Sequence, residues 1–403
     1  MSIKLSKIIV NRKIYTSKDH HIRNHLIDQN ALFVLDKLHQ AGHTAYLVGG
    51  GVRDLLMNKK PKDYDISTSA RPEEIKNIFT NCILIGRRFR LAHVRFGKKV
   101  LEVSTFRAGD TQDEQLITRD NIWGTEEEDV LRRDFTINGL FYDPQKHEII
   151  DYVGGFIDLK DHLLRSIGDP LIRFKQDPVR MIRFQKFRAR FGFHAEHQTL
   201  VALNTCRDEI VKSSSARVLE EIFRMLESGA SEPFFRLLVE SEILQILLPQ
   251  LASYLQQESG ELIYAYLRVA DSMNQKDKRT LDRSLLTACL IFPILDFKIG
   301  EKREKGEEMH LGSIIELSYN LIHDFLFASF SHFPRRIRHD THAICLMQYR
   351  LVPLDPKGRP KLKLTSNSAF SPALLFLKLR SLINPHLFKT YNFWKNAKHK
   401  RKK

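Results

Sequence analysis

The sequence predicts an α+β protein: a head built on a mixed sheet, then an all-α neck and body, then a basic C-terminal region. Three observations predict it. Strand-like segments occur only before about residue 165, the clearest being Val100–Arg107, where Val100, Glu102 and Ser104 alternate with Leu101, Val103 and Thr105. Between residues 177 and 330 apolar side chains recur at helical spacing, as in Met181, Phe184, Phe187 and Phe191, and later Leu219, Ile222, Phe223 and Leu226. Charge is segregated as well. Arg335–Lys403 holds 17 Lys and Arg against two acids, Asp340 and Asp355, so the other 334 residues carry only +1 of the net +16.

Taken in order, residues 1–25 read as a loosely ordered basic leader with no long apolar run and no small-residue cleavage site. Asn30–Ala41 has the apolar stripe of a helix (Leu32, Phe33, Leu35, Leu38) and stops at Gly42. Ala45–Val48 is a short strand that runs into three glycines, and Val52–Met57 starts a helix. Tyr64–Ser67 and Val94–Phe96 are further short strands. Thr125–Asp143 opens acidic, as a helix N-terminus prefers, and then turns apolar. Asp151–Asp158 is a turn-bounded strand around Gly154-Gly155. Glu301–Glu308 reads as a charged loop or linker. The domain scheme is therefore a leader (1–25), a head (26–165), a helical neck (166–240), a helical body (241–350) and a tail (351–403). The Pro, Lys and Ser content of Leu351–Ser371 predicts partial disorder in the tail.

Composition removes several classes. No run of about 18 apolar residues exists, so no membrane span is expected. Cys82, Cys206, Cys289 and Cys345 are far apart, which argues against a disulfide framework or a zinc site and for a reducing cytoplasm. A nearly neutral body joined to a cationic tail calls for a polyanion. Phe388, Tyr391, Phe393 and Trp394 among the tail's basic residues favour RNA, because rings can stack on unpaired bases while Lys and Arg meet phosphates.

The chemistry is concentrated in two neighbouring segments. In Tyr46–Leu56 a strand enters Gly49-Gly50-Gly51 and then a helix, which lets backbone N–H groups approach an anion at a helix N-terminus. Arg53 follows in the first turn and can donate to a phosphate. Alone this pattern is a tight structural turn, and without GxGxxG it is not a dinucleotide fold. Next, Asp63 and Asp65 are two apart, so on a strand both carboxylates share a face. Such a pair repels itself unless a hard cation sits between. A third acid is expected, either Glu102 or Asp134, the latter preceded by Arg132 and Arg133.

Glycine turn, helix and paired-Asp strand together resemble the polymerase-beta-like nucleotidyltransferases. The resemblance sharpens with GGGVRD (Gly49–Asp54), DYD (Asp63–Asp65), RRDFTIN (Arg132–Asn138), DYVGG (Asp151–Gly155) and DPVRMIR (Asp177–Arg183). Their order is that of the class II nucleotidyltransferases, which comprise bacterial poly(A) polymerases and CCA-adding tRNA enzymes, and the match spans about residues 30–250. The resemblance implies that Asp63 and Asp65 bind two catalytic metal ions, Mg²⁺ or Mn²⁺ in its place; Glu102 is the candidate further metal ligand, with Asp134 as the alternative. It implies triphosphate contacts at Gly49, Gly50 and Arg53. Arg133 and Asp134 fall near the incoming nucleotide's triphosphate and sugar, and Asp134 is also grouped with the catalytic acids. Asp177, Arg180 and Arg183 resemble the helix face of the neck that reads the base.

The implied activity is template-independent transfer of AMP from ATP to RNA 3′ ends, with loss of pyrophosphate. CCA addition to tRNA is the alternative, and an inactive RNA-binding adaptor is a rival of another class. Three features favour polyadenylation: the stretch Asn81–Gly97 with Arg87, Arg88, Phe89 and Arg90, the third glycine Gly51, and the basic C-terminal region. The Ala108–Thr118 loop is shorter than in some relatives, which leaves its role open. His323-Asp324 and His339-Asp340 lack the other ligands of a metal phosphohydrolase and read as helix-surface residues. The implied setting is a cytoplasmic monomer acting on mRNA, small RNA or tRNA ends, with RNA-decay or RNA-chaperone proteins as partners.

Overall fold

Ten strands of the first half are introduced in chain order: β1 (Lys13–Tyr15), β2 (Ala45–Val48), β3 (Asp65–Thr68), β4 (Cys82–Ile85), β5 (Leu91–Phe96), β6 (Lys99–Thr105), β7 (Arg107–Ala108), β8 (Ile122–Trp123), β9 (Leu140–Asp143) and β10 (Glu148–Asp151). Eight of them form one mixed sheet in the order β1-β10-β9-β2-β3-β6-β5-β4, while β7 and β8 pair as a separate ribbon. Within the large sheet β3 and β6 run parallel and every other pairing is antiparallel. The protein is described from a computed structural model, over residues 12–86, 91–109, 122–276, 280–327, 330, 333–354 and 362–400. The chain divides into two units, Met1–Arg180 with Gly192–Cys206, and Met181–Phe191 with Arg207–Lys403.

The centre of the first unit's sheet is apolar for a simple reason. All four residues of β2 and of β9 are buried, as expected of strands covered on both faces. Tyr46 stacks on Phe141 with ring centroids 5.4 Å apart, and Phe106, Val130 and Ile150 complete this part of the core. Helices follow local signals: α1 (Gln29–Gln40) is capped by the Asp28 side chain, and α4 (Glu126–Leu131) by a reciprocal Thr125–Glu128 capping box. These are numbered with α2 (Gly50–Leu56), α3 (Pro72–Ile78), α5 (Gly155–Lys160), α6 (Pro170–Gln176) and α7 (Val179–Phe191).

Several expectations are corrected here. The described part of the leader is not loose: β1 pairs with β10, Lys13 opposite Asp151, and extends the head sheet. Asp151–Asp158 is not one strand. The Asp151 carboxylate accepts the N–H groups of Val153, Gly154, Gly155 and Phe156, and so folds the chain into α5. A methyl on Gly155 would lie 2.0 Å from the Thr136 carbonyl, so only glycine permits this approach. The expected neck is not a unit of its own, because residues 166–180 and 192–206 group with the head.

The second unit has no strand among its described residues. Its helix Arg283–Glu304 is buried along most of its first three turns. That helix also absorbs the first half of the stretch expected to be a linker, Glu301–Glu308. Of the stretch expected to be partly disordered, Leu351–Ser371, residues 355–361 lie outside the described residues; the described tail beyond it is ordered into helices. Phe370–Ile383 and Phe388–Lys400 are helices, and Trp394 is only 1% exposed. Its indole Nε1 donates to the Leu351 carbonyl at 3.0 Å, and its ring meets Phe370 edge-on. Basic composition concealed an apolar stripe that closes a small core with Met347, Leu351 and Leu377. His323-Asp324 and His339-Asp340 are exposed neighbour pairs. The four cysteines are free and buried. Among the described residues no helix is long and apolar enough to cross a membrane.

Candidate active site

β2 ends at Val48, Gly49 takes φ +63°, and α2 begins at Gly50. Glycine is required at Gly49 on two counts: the positive φ, and the Arg133 guanidinium, whose Nη1 would be 3.0 Å from an added methyl. Antiparallel pairing sets Val48 opposite Asp65, so the glycine turn emerges beside the start of β3. Asp63 and Asp65 are exposed whereas Tyr64 and Ile66 are buried. Asp65 opens β3, while Asp63 precedes the strand and so lies outside its strict period of two; the exposed-buried alternation nevertheless runs through Asp63, Tyr64, Asp65 and Ile66.

The parallel register of β3 and β6 then sets Glu102, also exposed, directly opposite Asp65. Desolvation, followed by the Glu102 carboxylate, pushes Asp65 up to about 6. Arg133 opposes the shift and Asp63 adds to it. An accessible aspartate so disfavoured as an anion is a hard-oxygen donor in need of a cation, and the donor set suits Mg²⁺ or Mn²⁺. Among the described residues no three His, Cys, Asp or Glu side chains converge closely enough to enclose an ion alone. Glu102 lies 3.7 Å from the His93 Nε2.

Asp134, the other candidate third acid, occupies a different environment. It is buried, and its Oδ1 accepts from the Phe135 N–H at 2.8 Å and from Asn138 at 3.1 Å. Asn138 accepts in turn from Arg53 Nη1 at 2.6 Å, while Arg53 Nε and Nη2 both donate to Asp54. Arg53 is thus a buried strut beneath the glycine turn, not an extended surface cation.

Arg133 faces the other way, into the site. Its Nη2 donates to the Ser67 hydroxyl at 3.2 Å and to Asp129 at 2.8 Å, and its guanidinium lies over the Phe141 ring. Asp129 is fully buried and also takes Arg132 Nε at 2.9 Å. Burial would raise its pKa, but the flanking Arg133 and Arg132 outweigh that and hold it below the usual carboxylate value. Behind them, Arg173 Nη2 donates to the carbonyls of both Arg132 and Arg133, at 2.6 and 2.7 Å. Burial, and then Arg180, lower the Arg173 guanidinium to about 9. Arg180 donates to the carbonyls of Arg173 and Arg132 at 3.3 Å each.

One placement is corrected. Asp177 does not share a helix face with Arg180 and Arg183: it caps the end of α6 in a non-helical conformation, and only the two arginines lie in α7. Residue spacing could not show this break. Asp129, Ser67, Asn138 and Arg173 were missed altogether. Asp129 alone had a readable signal, standing three and four residues before Arg132 and Arg133. Arg87, Arg88, Phe89 and Arg90 lie outside the described residues, as does most of the Ala108–Thr118 loop.

Residues 45–165 match the family described as "Poly A polymerase head domain", and residues 192–255 match "Probable RNA and SrmB- binding site of polymerase A". Poly(A) polymerase I of Escherichia coli O6:H1 is 36% identical over 395 residues, covering 94% of this chain and 84% of that protein. The chain belongs to the family of bacterial poly(A) polymerases and CCA-adding enzymes. Like other members of that family it is a nucleotidyltransferase. The CCA-adding enzyme of Lactobacillus helveticus is 37% identical over 214 residues, 53% of each chain. Among solved structures, the Bacillus stearothermophilus CCA-adding enzyme in complex with CTP shares the fold of this nucleotidyltransferase. Its TM-score is 0.60 over 92% of this chain and 81% of that one, at 22% identity.

Proposed function

We propose that this nucleotidyltransferase extends RNA 3′ ends with AMP residues from ATP, without a template. The observation that carries the reading is the exposed Asp63 and Asp65 at the start of β3, beside the Gly49 turn, with Glu102 opposite Asp65. Asp63 and Asp65, with Glu102 as neighbour, would hold Mg²⁺ or Mn²⁺. Such ions, when bound, supply a more acidic 3′-hydroxyl and charge compensation at the triphosphate. The triphosphate is assigned to the Gly49–Gly50 backbone and the Arg133 guanidinium, with Arg53 holding the turn from beneath. The RNA 3′-oxygen attacks the α-phosphorus as its proton passes to solvent water, the bond from the α-phosphorus to the bridging oxygen of the β-phosphate breaks, and pyrophosphate departs with that oxygen. Asp134 orients the Asn138–Arg53 strut. Base selection is assigned to Asp177 and Arg180, with Arg183 three residues further along the helix of Arg180. A carboxylate can accept from the adenine amino group and a guanidinium can donate to a ring nitrogen.

Polyadenylation is favoured over CCA addition by the reach of the sequence match, 94% of the chain for the poly(A) polymerase relative against 53% for the CCA-adding one. Gly51 adds no weight, since a methyl there would meet the Asp63 carbonyl at 3.4 Å, an ordinary contact. The proposed substrates are mRNA and small-RNA ends in the cytoplasm. Incubating an unstructured RNA with each nucleoside triphosphate in turn tests the reading. A long ladder with ATP alone is expected. Growth that needs CTP and stops after three nucleotides on a tRNA lacking its end would instead make this a CCA-adding enzyme.

A further inference from the structure

The helix Phe388–Lys400 separates its aromatic residues into two groups. Trp394 is buried, and Tyr391 and Ala397 pack into the same core. Phe388 and Phe393 are 55% and 44% exposed. At 3.6 residues per turn, the solvent side is an arc of about 160° occupied in angular order by Lys395, Phe388, Asn392, Asn396, Lys389 and Phe393, with His399 and Lys400 of the last turn at positions on the same arc. No acid lies on this arc, and none occurs anywhere from Pro356 to Lys403, a stretch with 13 Lys and Arg. Phe393 is braced edge-on against Trp394, with centroids 5.2 Å apart, so its ring is oriented by the core.

We propose that this outer face is a platform for unpaired RNA, with bases stacking on Phe388 and Phe393, Lys389 and Lys395 meeting phosphates, and Asn392 and Asn396 bonding base edges. The proposal rests on the reading that RNA is the substrate, and adds where and in what form the strand is held. Unpaired RNA is specified because a duplex keeps its base faces inside the stack, out of reach of the two rings. A membrane surface would need the apolar residues gathered on one stripe. Here the two Phe stand about 140° apart with Lys and Asn between them.

The test uses the full chain and three probes: an unstructured single-stranded RNA of about 12 nucleotides, a blunt duplex of equal length, and phosphatidylglycerol vesicles. Phe388→Ala with Phe393→Ala is expected to weaken single-strand binding about tenfold per ring while leaving duplex binding and the salt dependence unchanged. Phe388→Tyr with Phe393→Tyr restores it. Lys389→Ala with Lys395→Ala lowers the salt slope by about 0.7 per lost phosphate contact. Unchanged single-strand affinity in the Ala pair, or vesicle binding that is lost with the same pair while RNA binding persists, overturns the platform. All three variants are compared with wild type on RNA binding alone, so a wild type that binds RNA but makes no ATP ladder would count against the polyadenylation reading, not the platform.

Discussion

The Arg133 guanidinium donates to the Ser67 hydroxyl at 3.2 Å, joining residues 66 positions apart in the chain. The contact brings a cation to the strand that carries Asp65, two residues before Ser67, and it exists because Asp129 holds the other side of the same guanidinium. Acid and base parts of the site are therefore one lattice with a buried centre.

Asp63→Ala or Asp65→Ala is expected to abolish nucleotide addition, with a loss of at least about 10³ in rate, while RNA affinity stays close to wild type. A thermal readout separates metal binding from chemistry. Mg²⁺ should raise the wild-type melting temperature by a few degrees and the Asp65→Asn variant far less. Asp65→Asn should also melt higher than wild type in metal-free buffer, since it relieves repulsion from Glu102 and Asp63. Equal Mg²⁺ shifts in both proteins would remove Asp65 from the metal site.

Asp129→Asn takes one charge from between two arginines in the interior and should cost about 3 kcal/mol. The folded Asp129 pKa is held low, so its contribution is complete above the unfolded value, near pH 4, and is lost as pH falls through the folded value. The gap in melting temperature between wild type and variant should be constant from about pH 8 to about pH 5 and narrow in more acid buffer. Circular dichroism melts across that range would expose a flat or inverted trend.

The glycines of the turn are not equivalent. Gly49→Ala meets a positive φ and the Arg133 guanidinium, with a strain of about 1–3 kcal/mol at the site, and activity should fall at least tenfold. Gly51→Ala has ordinary contact distance to the Asp63 carbonyl and should stay within about threefold of wild type. Steady-state rates of purified variants at equal folded fraction provide the comparison, and an inactive Gly51→Ala protein would contradict the geometry.

Trp394→Ala removes a fully buried indole and its bond to Leu351, at a cost of about 3–5 kcal/mol. Limited proteolysis should then cut between Ile383 and Phe388 in the variant and not in wild type. Phe393→Ala, at an exposed position, should leave the cleavage pattern unaltered, which distinguishes anchoring from surface contact.

Legibility followed sequence distance. The β2 strand, glycine turn and the Asp65 strand were readable because each is encoded within a few residues; that Asp63 falls just before the strand was not. Asp177 was misplaced for the converse reason: a three-residue spacing assumes an unbroken helix, and the chain breaks between α6 and α7. The C-terminal region was misread because charge density dominates composition, whereas packing depends on the stripe that holds Tyr391, Trp394 and Ala397.

By itself, then, the sequence determined the fold class and the family, and it set the two aspartates just after the glycine turn, since these depend on local pattern and on the order of motifs. Tertiary structure alone decided that Glu102 stands opposite Asp65, that Arg53 is a buried strut while Arg133 faces the site, and that Asp129 and Arg173 hold the arginine segment in place. Strand register and the pairing of buried charges are properties of which segments meet. No residue spacing encodes that meeting, because it is set by the burial of side chains far apart along the chain.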